Sequence, residues 1–346
     1  MKKSKVLMSG SVLFLAIIAC TSAATPAAET MIQTEIVPVT GATPTLVITE
    51  VPIVQHQTIP GELPVDWAGY VGDHDSSATA GQNRAPGGDR FTFNRFERPF
   101  NAEGMDVYFP YLDIQEASIY QDETWVFAVI KLKGQSEQGN LPGKYAMELD
   151  MNIDGGGDWL ILVDSPASAE WSVNGVQVWF DENNDVGGSY PMHTDEIIVP
   201  VTGYESMVFD QGNGNDADTA WARISPTDST SVQLAIKRAI FAGDTSFMAS
   251  AWAGTGDLDP ALFDMSDSYN HDQAGASLVE LPNFYPIKEL SELDNSCRMP
   301  VGFAATGNEP GSCPIAPIQS EQSACPASMT YCVILGNQEV CYCLQN

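Results

Sequence analysis

Basic residues are scarce in this chain of 346: 15 Lys and Arg stand against 45 Asp and Glu, giving a formal net charge of −30. No positive stripe is available to neutralise phosphates, which argues against nucleic acid as a partner. Charge as a whole is also modest, at 17% of residues, so the acidity comes from missing bases and not from dense charge. With 44% apolar and 9% aromatic residues, wholesale disorder is excluded too. Cysteine is absent from residues 21–296, and only four histidines occur. The sequence has no Gly-x-Ser-x-Gly elbow, His-Glu-x-x-His helix or phosphate-binding Gly-rich loop, so no local motif announces catalysis. Long apolar runs are missing as well. Residues 6–18, interrupted by Ser9, Gly10 and Ser11, are too short to cross a bilayer as a helix.

That short run follows Lys2, Lys3 and Lys5, which is the layout of a secretory signal peptide over residues 1–19. It ends Ile17-Ile18-Ala19-Cys20, which resembles the bacterial lipobox. The resemblance implies cleavage before Cys20, lipidation of its sulfur, and an exported protein held at a bacterial membrane or cell surface. The alternative is an ordinary export signal cut after Ala23 or Ala24. Residues 20–60 are rich in Thr, Pro, Ala and Val and read as an extended tether, with a possible edge strand at 45–54. His56 falls within this tether.

Residues 61–293 favour a period of two. Strands are expected at 112–120, 124–132, 144–151, 158–163, 175–180, 221–224, 231–237 and 247–252, separated by Gly, Asn, Asp and Pro clusters. Short helices are expected near 238–243 and 286–293. The expected fold is all-β, an antiparallel β-sandwich of jelly-roll kind with a small disulfide-rich C-terminal appendix. Most of the seven Trp fall in or beside strands and read as core. Trp171, in a loop-like stretch, is the best candidate for an exposed ligand-binding ring, with loop packing as the alternative.

Two loops carry oxygen ligands at alternate positions. Asp150-Met-Asn152-Ile-Asp154-Gly155 begins like an EF-hand loop and is followed by Asp158. Its twelfth position is Ile161 and strands flank it, so it is not an EF-hand. Asp181, Asn183 and Asp185 repeat the spacing, with Val186 where the turning Gly would stand. Calcium is the expected cofactor, with Asp150, Asn152, Asp154, Asp158, Asp181, Asn183 and Asp185 as ligands. The alternative is solvated Asx-turns. A third loop, 210–218, has irregular spacing and reads as solvated, and Asp73 and Asp75 carry no assignment. Met192 and His193 form a weak haem-ligand pair.

Residues 294–346 hold Cys297, Cys313, Cys325, Cys332, Cys341 and Cys343. An even count in an exported chain implies three disulfides, and the spacings do not match a zinc site.

The order Leu112-Asp113-Ile114, Tyr120, Trp125-Val126-Phe127, Tyr145 to Asp150 and Asp158-Trp159-Leu160, then Ala220-Trp221-Ala222-Arg223 and Val232 to Ile236, resembles family 9 carbohydrate-binding modules and DOMON-like β-sandwiches. The resemblance spans 112–252 and implies a ligand-binding sandwich, with sugar as the usual ligand and haem in some relatives. The expectation is therefore a non-catalytic, calcium-stabilised surface protein that binds a carbohydrate or another extracellular ligand. The rivals are an envelope assembly protein docking a partner through its Cys-rich tail, and a hydrolase using loop carboxylates.

Overall fold

The computed structural model describes residues 55–82, 89–102, 105–193, 201–275 and 287–314, and the backbone of 330–335 and 338–343. The signal peptide, Cys20, most of the tether and Cys325 lie outside the described residues. The strands run in chain order as β1 (Gly69–Gly72), β2 (Glu97–Arg98), β3 (Ile114–Gln121), β4 (Trp125–Leu132), β5 (Lys144–Asp150), β6 (Trp159–Asp164) and β7 (Val176–Phe180). They continue as β8 (Ser206–Asp210), β9 (Asn213–Gly214), β10 (Ala220–Ser225), β11 (Asp228–Lys237), β12 (Phe247–Gly254), β13 (Leu293–Asn295) and β14 (Met299–Val301). A separate hairpin, β15 (Thr330–Leu335) and β16 (Gln338–Cys343), sets Cys332 opposite Cys341 in register.

Two antiparallel sheets make the body, as expected from the alternation. One has the order β1-β3-β4-β11-β10. The other runs β2-β13-β12-β5-β6-β7-β8-β9, with β14 also paired to β12. Alternate residues of each strand meet between the sheets: Val126, Ala128 and Ile130 of β4 and Val232, Leu234 and Ile236 of β11 face Met147, Leu149, Ile161 and Val163. A cleanly half-exposed sheet would carry polar residues on its other face, but here both outer faces are covered in part. Trp252, Leu160 and Leu162 on the large sheet pack under Phe96, Phe263, Met265 and Leu290. Trp125, Phe127 and Trp221 on the small sheet pack under Leu63 and Trp171. That second covering explains why β4 reads as almost continuously apolar.

The segment that covers the small sheet starts inside the expected tether. The His56 ring sits edge-on to Trp221 at 4.7 Å, and Trp171 Nε1 donates to Gly61 O at 3.0 Å. Asp218 fastens the segment: its Oδ2 accepts from the amides of Gln57 and Thr58 at 2.8 Å each, and its Oδ1 meets His56 Nδ1 at 2.7 Å. The folded body thus includes residues 55–60. At the other end the sheet continues past Leu293 through β13 and β14, and the Cys297–Cys313 disulfide ties residues 298–312 to its edge.

A short 3-10 helix at Arg238–Phe241 matches the first expected helix. The second does not form over the described residues 287–293, although Ile287, Leu290 and Leu293 are buried at helical spacing. Leu290 O is taken by Arg98 Nη1 at 3.0 Å, and Glu292 has φ 54°. Tertiary hydrogen bonds win over the local pattern there, and Leu293 enters β13.

Burial alone would raise the Asp218 carboxyl, but the Gln57 and Thr58 amides, His56 and Lys237 together hold it below the usual carboxylate range. A depressed folded-state pKa means this anchor stabilises the protein above the ordinary Asp range and is lost as pH falls through the folded value. Asp218→Asn should therefore destabilise by about 1–3 kcal/mol at pH 7 and by less at pH 3. Denaturant melts at both pH values and hydrogen exchange at Gln57 and Thr58 measure this. An equal effect at both pH values would contradict the ionic anchor.

Candidate functional site

The two acidic loops are neighbours and share one backbone design. In the β5–β6 loop, Asp150 Oδ1 accepts from Ile153 N at 2.6 Å and Asp154 N at 3.3 Å, and Oδ2 accepts from Gly155 N at 3.0 Å. After β7, Asp181 Oδ1 accepts from Asn184 N at 2.8 Å and Asp185 N at 3.4 Å, and Oδ2 accepts from Val186 N at 3.0 Å. In each case the first carboxylate ties down the amides three, four and five residues on. The fourth residue turns left-handed, with φ 62° at Ile153 and 56° at Asn184. Gly155 adds φ 101°, and a Cβ there would press on Pro310 and Pro191, which is why the first loop needs glycine. Asp181 N also donates to Asp158 O at 3.1 Å, and the loops together enclose a cleft of about 130 Å³ lined by Asp154, Asp158, Asp181 and Asn184.

The acidic side chains of the first loop are hydrogen-bonded within the loop itself. Asp154 Oδ1 accepts from Gly156 N, Asn152 Oδ1 from Asp154 N and Asp158 Oδ2 from Met151 N. These side chains serve their own loop, and Asp150 is further claimed by Arg298. Burial raises Asp158 and pushes Asp150 up to about 6 even with Arg298 beside it. In the second loop, oxygens of Asp181, Asp185 and Glu205 lie within 4.8 Å of one another. Asn183 turns its amide nitrogen to Asp185 Oδ2 at 3.3 Å and to Thr202 Oγ1 at 3.1 Å. Glu205, just before β8, has no place in the sequence motif and comes in through the fold. Burial raises it, but the Thr202 hydroxyl and Glu182 amide together bring it below the usual range.

Behind the first loop lies a buried charge network on the covered face of the large sheet. Glu148 Oε1 accepts from Tyr204 OH at 3.1 Å, and Oε2 accepts from Ser250 Oγ at 2.9 Å and Trp252 Nε1 at 3.2 Å. Arg298 reaches Glu148 Oε2 at 3.3 Å and Asp150 Oδ2 at 2.8 Å. Asp264 completes the group, raised well above its ordinary value by burial and then by Glu148, with Arg298 opposing. A Cβ on Gly157 would collide with Tyr204 OH and Glu148 Oε1, so the loop backbone lies directly on the network. Arg298 follows Cys297, and its own N and O pair with Gly311 O and Cys313 N. The disulfide segment thus carries the guanidinium into the acidic box.

Other expected residues have structural roles. Trp171 is half-buried, with Arg223 over its ring at 4.3 Å and Phe127 at 6.0 Å. It packs rather than presenting a free face. Met192 is buried beneath Gly311, whereas His193 is exposed against Phe93, so the two do not converge as ligands of one group. The third loop forms the β8–β9 turn and the Asp218 anchor. Among the described residues the exposed aromatics are Trp67, Tyr70, Phe93 and Tyr190; Trp67 is 59% and Tyr70 47% accessible, and their ring centroids stand 5.8 Å apart. The sequence hint to this pair is Trp67-x-x-Tyr70, which runs into a short edge strand.

Replacing Arg298 by Met keeps much of the side-chain volume but strands buried carboxylates, so a loss of about 3–5 kcal/mol is expected. Chemical denaturation reads it, and a loss below 1 kcal/mol would show that the guanidinium does not hold the network. Among the described residues no helix is long and apolar enough to cross a membrane. No family model, curated protein or solved structure matches the chain.

Proposed function

We propose that the chain is an exported, lipid-anchored, non-catalytic β-sandwich that binds a carbohydrate of its surroundings. The observation that carries this reading is the Trp67–Tyr70 pair, two exposed rings at the start of the small sheet. Exposing a Trp and a Tyr side by side leaves apolar surface in water that a sugar ring would cover. Polar groups stand beside the pair. Tyr70 lies opposite Ser118 in register, and Glu116 and Lys131, ion-paired at 3.3 Å, both act on its hydroxyl. The rings supply stacking and these groups supply hydrogen bonds, which is the division of labour of a ligand surface. The resemblance to carbohydrate-binding sandwiches supports the same class of ligand.

Calcium belongs to this reading as a stabiliser of the second loop, where Asp181, Asp185 and Glu205 supply hard oxygen ligands. Export is supported by the signal-like residues 1–19 and by the Cys297–Cys313 disulfide, which suits an oxidising compartment. In this reading Cys20 carries the lipid and residues 21–54 lead to the body.

Glycan-array screening at millimolar calcium should identify a ligand whose affinity falls about tenfold or more, equivalent to about 1.4 kcal/mol, in each of Trp67→Ala and Tyr70→Ala. No glycan bound by the parent protein, or unchanged affinity in both variants, removes the carbohydrate reading. Separately, Cys20→Ser should move the protein from the membrane fraction to the soluble one. Unchanged membrane retention would remove the lipid anchor.

A further inference from the structure

A further acidic group lies at the β2–β13 edge of the large sheet, in no sequence motif. The β2–β13 register places Glu97 directly opposite Asp294. Like charges facing each other across a strand pair are destabilising, and here both are buried, at 1% and 0% accessible. Asp113, also 0% accessible, immediately precedes β3 of the other sheet, and oxygens of Glu97, Asp113 and Asp294 all lie within 4.8 Å of one another. That spacing is about twice a calcium–oxygen bond of about 2.4 Å, so the three oxygens fit on one coordination sphere.

Asp294 spends Oδ2 on Ile114 N at 2.6 Å, while its buried Oδ1 has no hydrogen-bond partner. Asp73, at the end of β1, brings a fourth carboxylate into the same neighbourhood, and its buried Oδ2 is also without a partner. Among the described residues no Lys or Arg forms an ion pair with any of the four; Arg95 acts on Asp73 alone, where it opposes the rise that burial imposes. Arg98, next to Glu97 in sequence, is committed to Asp89 at 2.8 Å and to two carbonyls. The donors that do reach the group are neutral and orient it: Ser76 Oγ to Glu97 Oε1, and Tyr108 OH and Gln115 Nε2 to the two oxygens of Asp113, each at 2.5 Å. A carboxylate that accepts one such bond per oxygen retains lone pairs for a metal, and donors of this kind fix ligand direction.

We propose that Glu97, Asp113 and Asp294, with Asp73 beside them, form a site for a hard divalent cation, calcium by preference. The set is all oxygen, which disfavours soft metals. The crowding of carboxylates in a dry site suits calcium better than magnesium, which keeps its waters. Asp73 and Asp113 belong to the small sheet and Glu97 and Asp294 to the large one, so the cation clamps the two sheets at one edge. This inference does not depend on the carbohydrate reading.

The test uses the full chain and calcium chloride alone. Bound calcium is counted by elemental analysis after desalting, and melting is followed in calcium and in EGTA. The variants are Asp294→Asn, Glu97→Gln and, as a control away from both acidic clusters, Glu123→Gln, at an exposed position. Asp294→Asn and Glu97→Gln should each bind one ion fewer than the parent, while Glu123→Gln keeps the parental count. Calcium should raise the melting temperature of the parent and of Glu123→Gln more than that of Asp294→Asn or Glu97→Gln. In EGTA, Asp294→Asn should melt at or above the parent, because it removes a repelling charge. The proposal is overturned if the parent binds no calcium, if Asp294→Asn and Glu97→Gln keep the parental stoichiometry, or if both melt below the parent in EGTA. That last result would give the carboxyls a hydrogen-bonding role instead.

Discussion

The structure has more buried carboxyl groups than buried cations to meet them. Asp89, Glu97, Asp113, Glu148, Asp150, Asp181, Asp218, Asp264, Asp267 and Asp294 are buried, against Arg98, Arg223 and Arg298. Burying an uncompensated charge costs several kcal/mol, so much of the architecture is a set of solutions to this imbalance. Arg98 grips Asp89 with two nitrogens, and Arg298 is shared by Glu148 and Asp150. Asp181 and Asp218 rely mainly on backbone amides, which turn carboxylates into fasteners for a loop and for the N-terminal segment. Glu97, Asp113 and Asp294 have neutral donors only, and the proposed cation would supply the missing positive charge.

The same imbalance gives the Cys297–Cys313 disulfide its importance. Among the described residues Arg298 is the guanidinium paired with the Glu148 group, and it sits between the bridged cysteines on a segment paired to residues 311 and 313. Reading the cysteines as a tail appended to a finished sandwich therefore understates them. The first bridge of that tail completes the large sheet and delivers its central charge. Arg298 serves carboxylates on the central strands of the covered sheet, and the proposed cation would serve those at its β2–β13 edge.

Much of the fold was legible because it is carried by local periodicity. β3 to β7 and β10 to β12 alternate or run apolar over five residues or more, and the Gly/Asp/Asn clusters between them do form turns. What could not be read depends on register. β1, β2, β13 and β14 are two to four residues long, too short for a period to show. The loops at 150–158 and 181–185 were legible as turns, since Asp and Asn there hold amides within five residues. Which carboxylates gather was not. Glu205 joins Asp181 and Asp185 from 20 positions beyond the end of the motif, and Asp150 is paired with Arg298, which arrives from far along the chain. Glu97, Asp113 and Asp294 are each unremarkable in sequence and meet only through strand pairing. The exposed tryptophan was not legible for a similar reason: Trp171, in a loop, is half-buried under Arg223, whereas Trp67 is left exposed.

Whether a cation completes the buried Glu97, Asp113 and Asp294 group is read from a crystal structure of the protein grown with calcium, with data collected at long wavelength for anomalous scattering. An anomalous peak is expected among the three carboxylates, with oxygen ligands at about 2.3–2.6 Å. A well-ordered site with no peak, and carboxyl oxygens paired directly through shared protons, would contradict it.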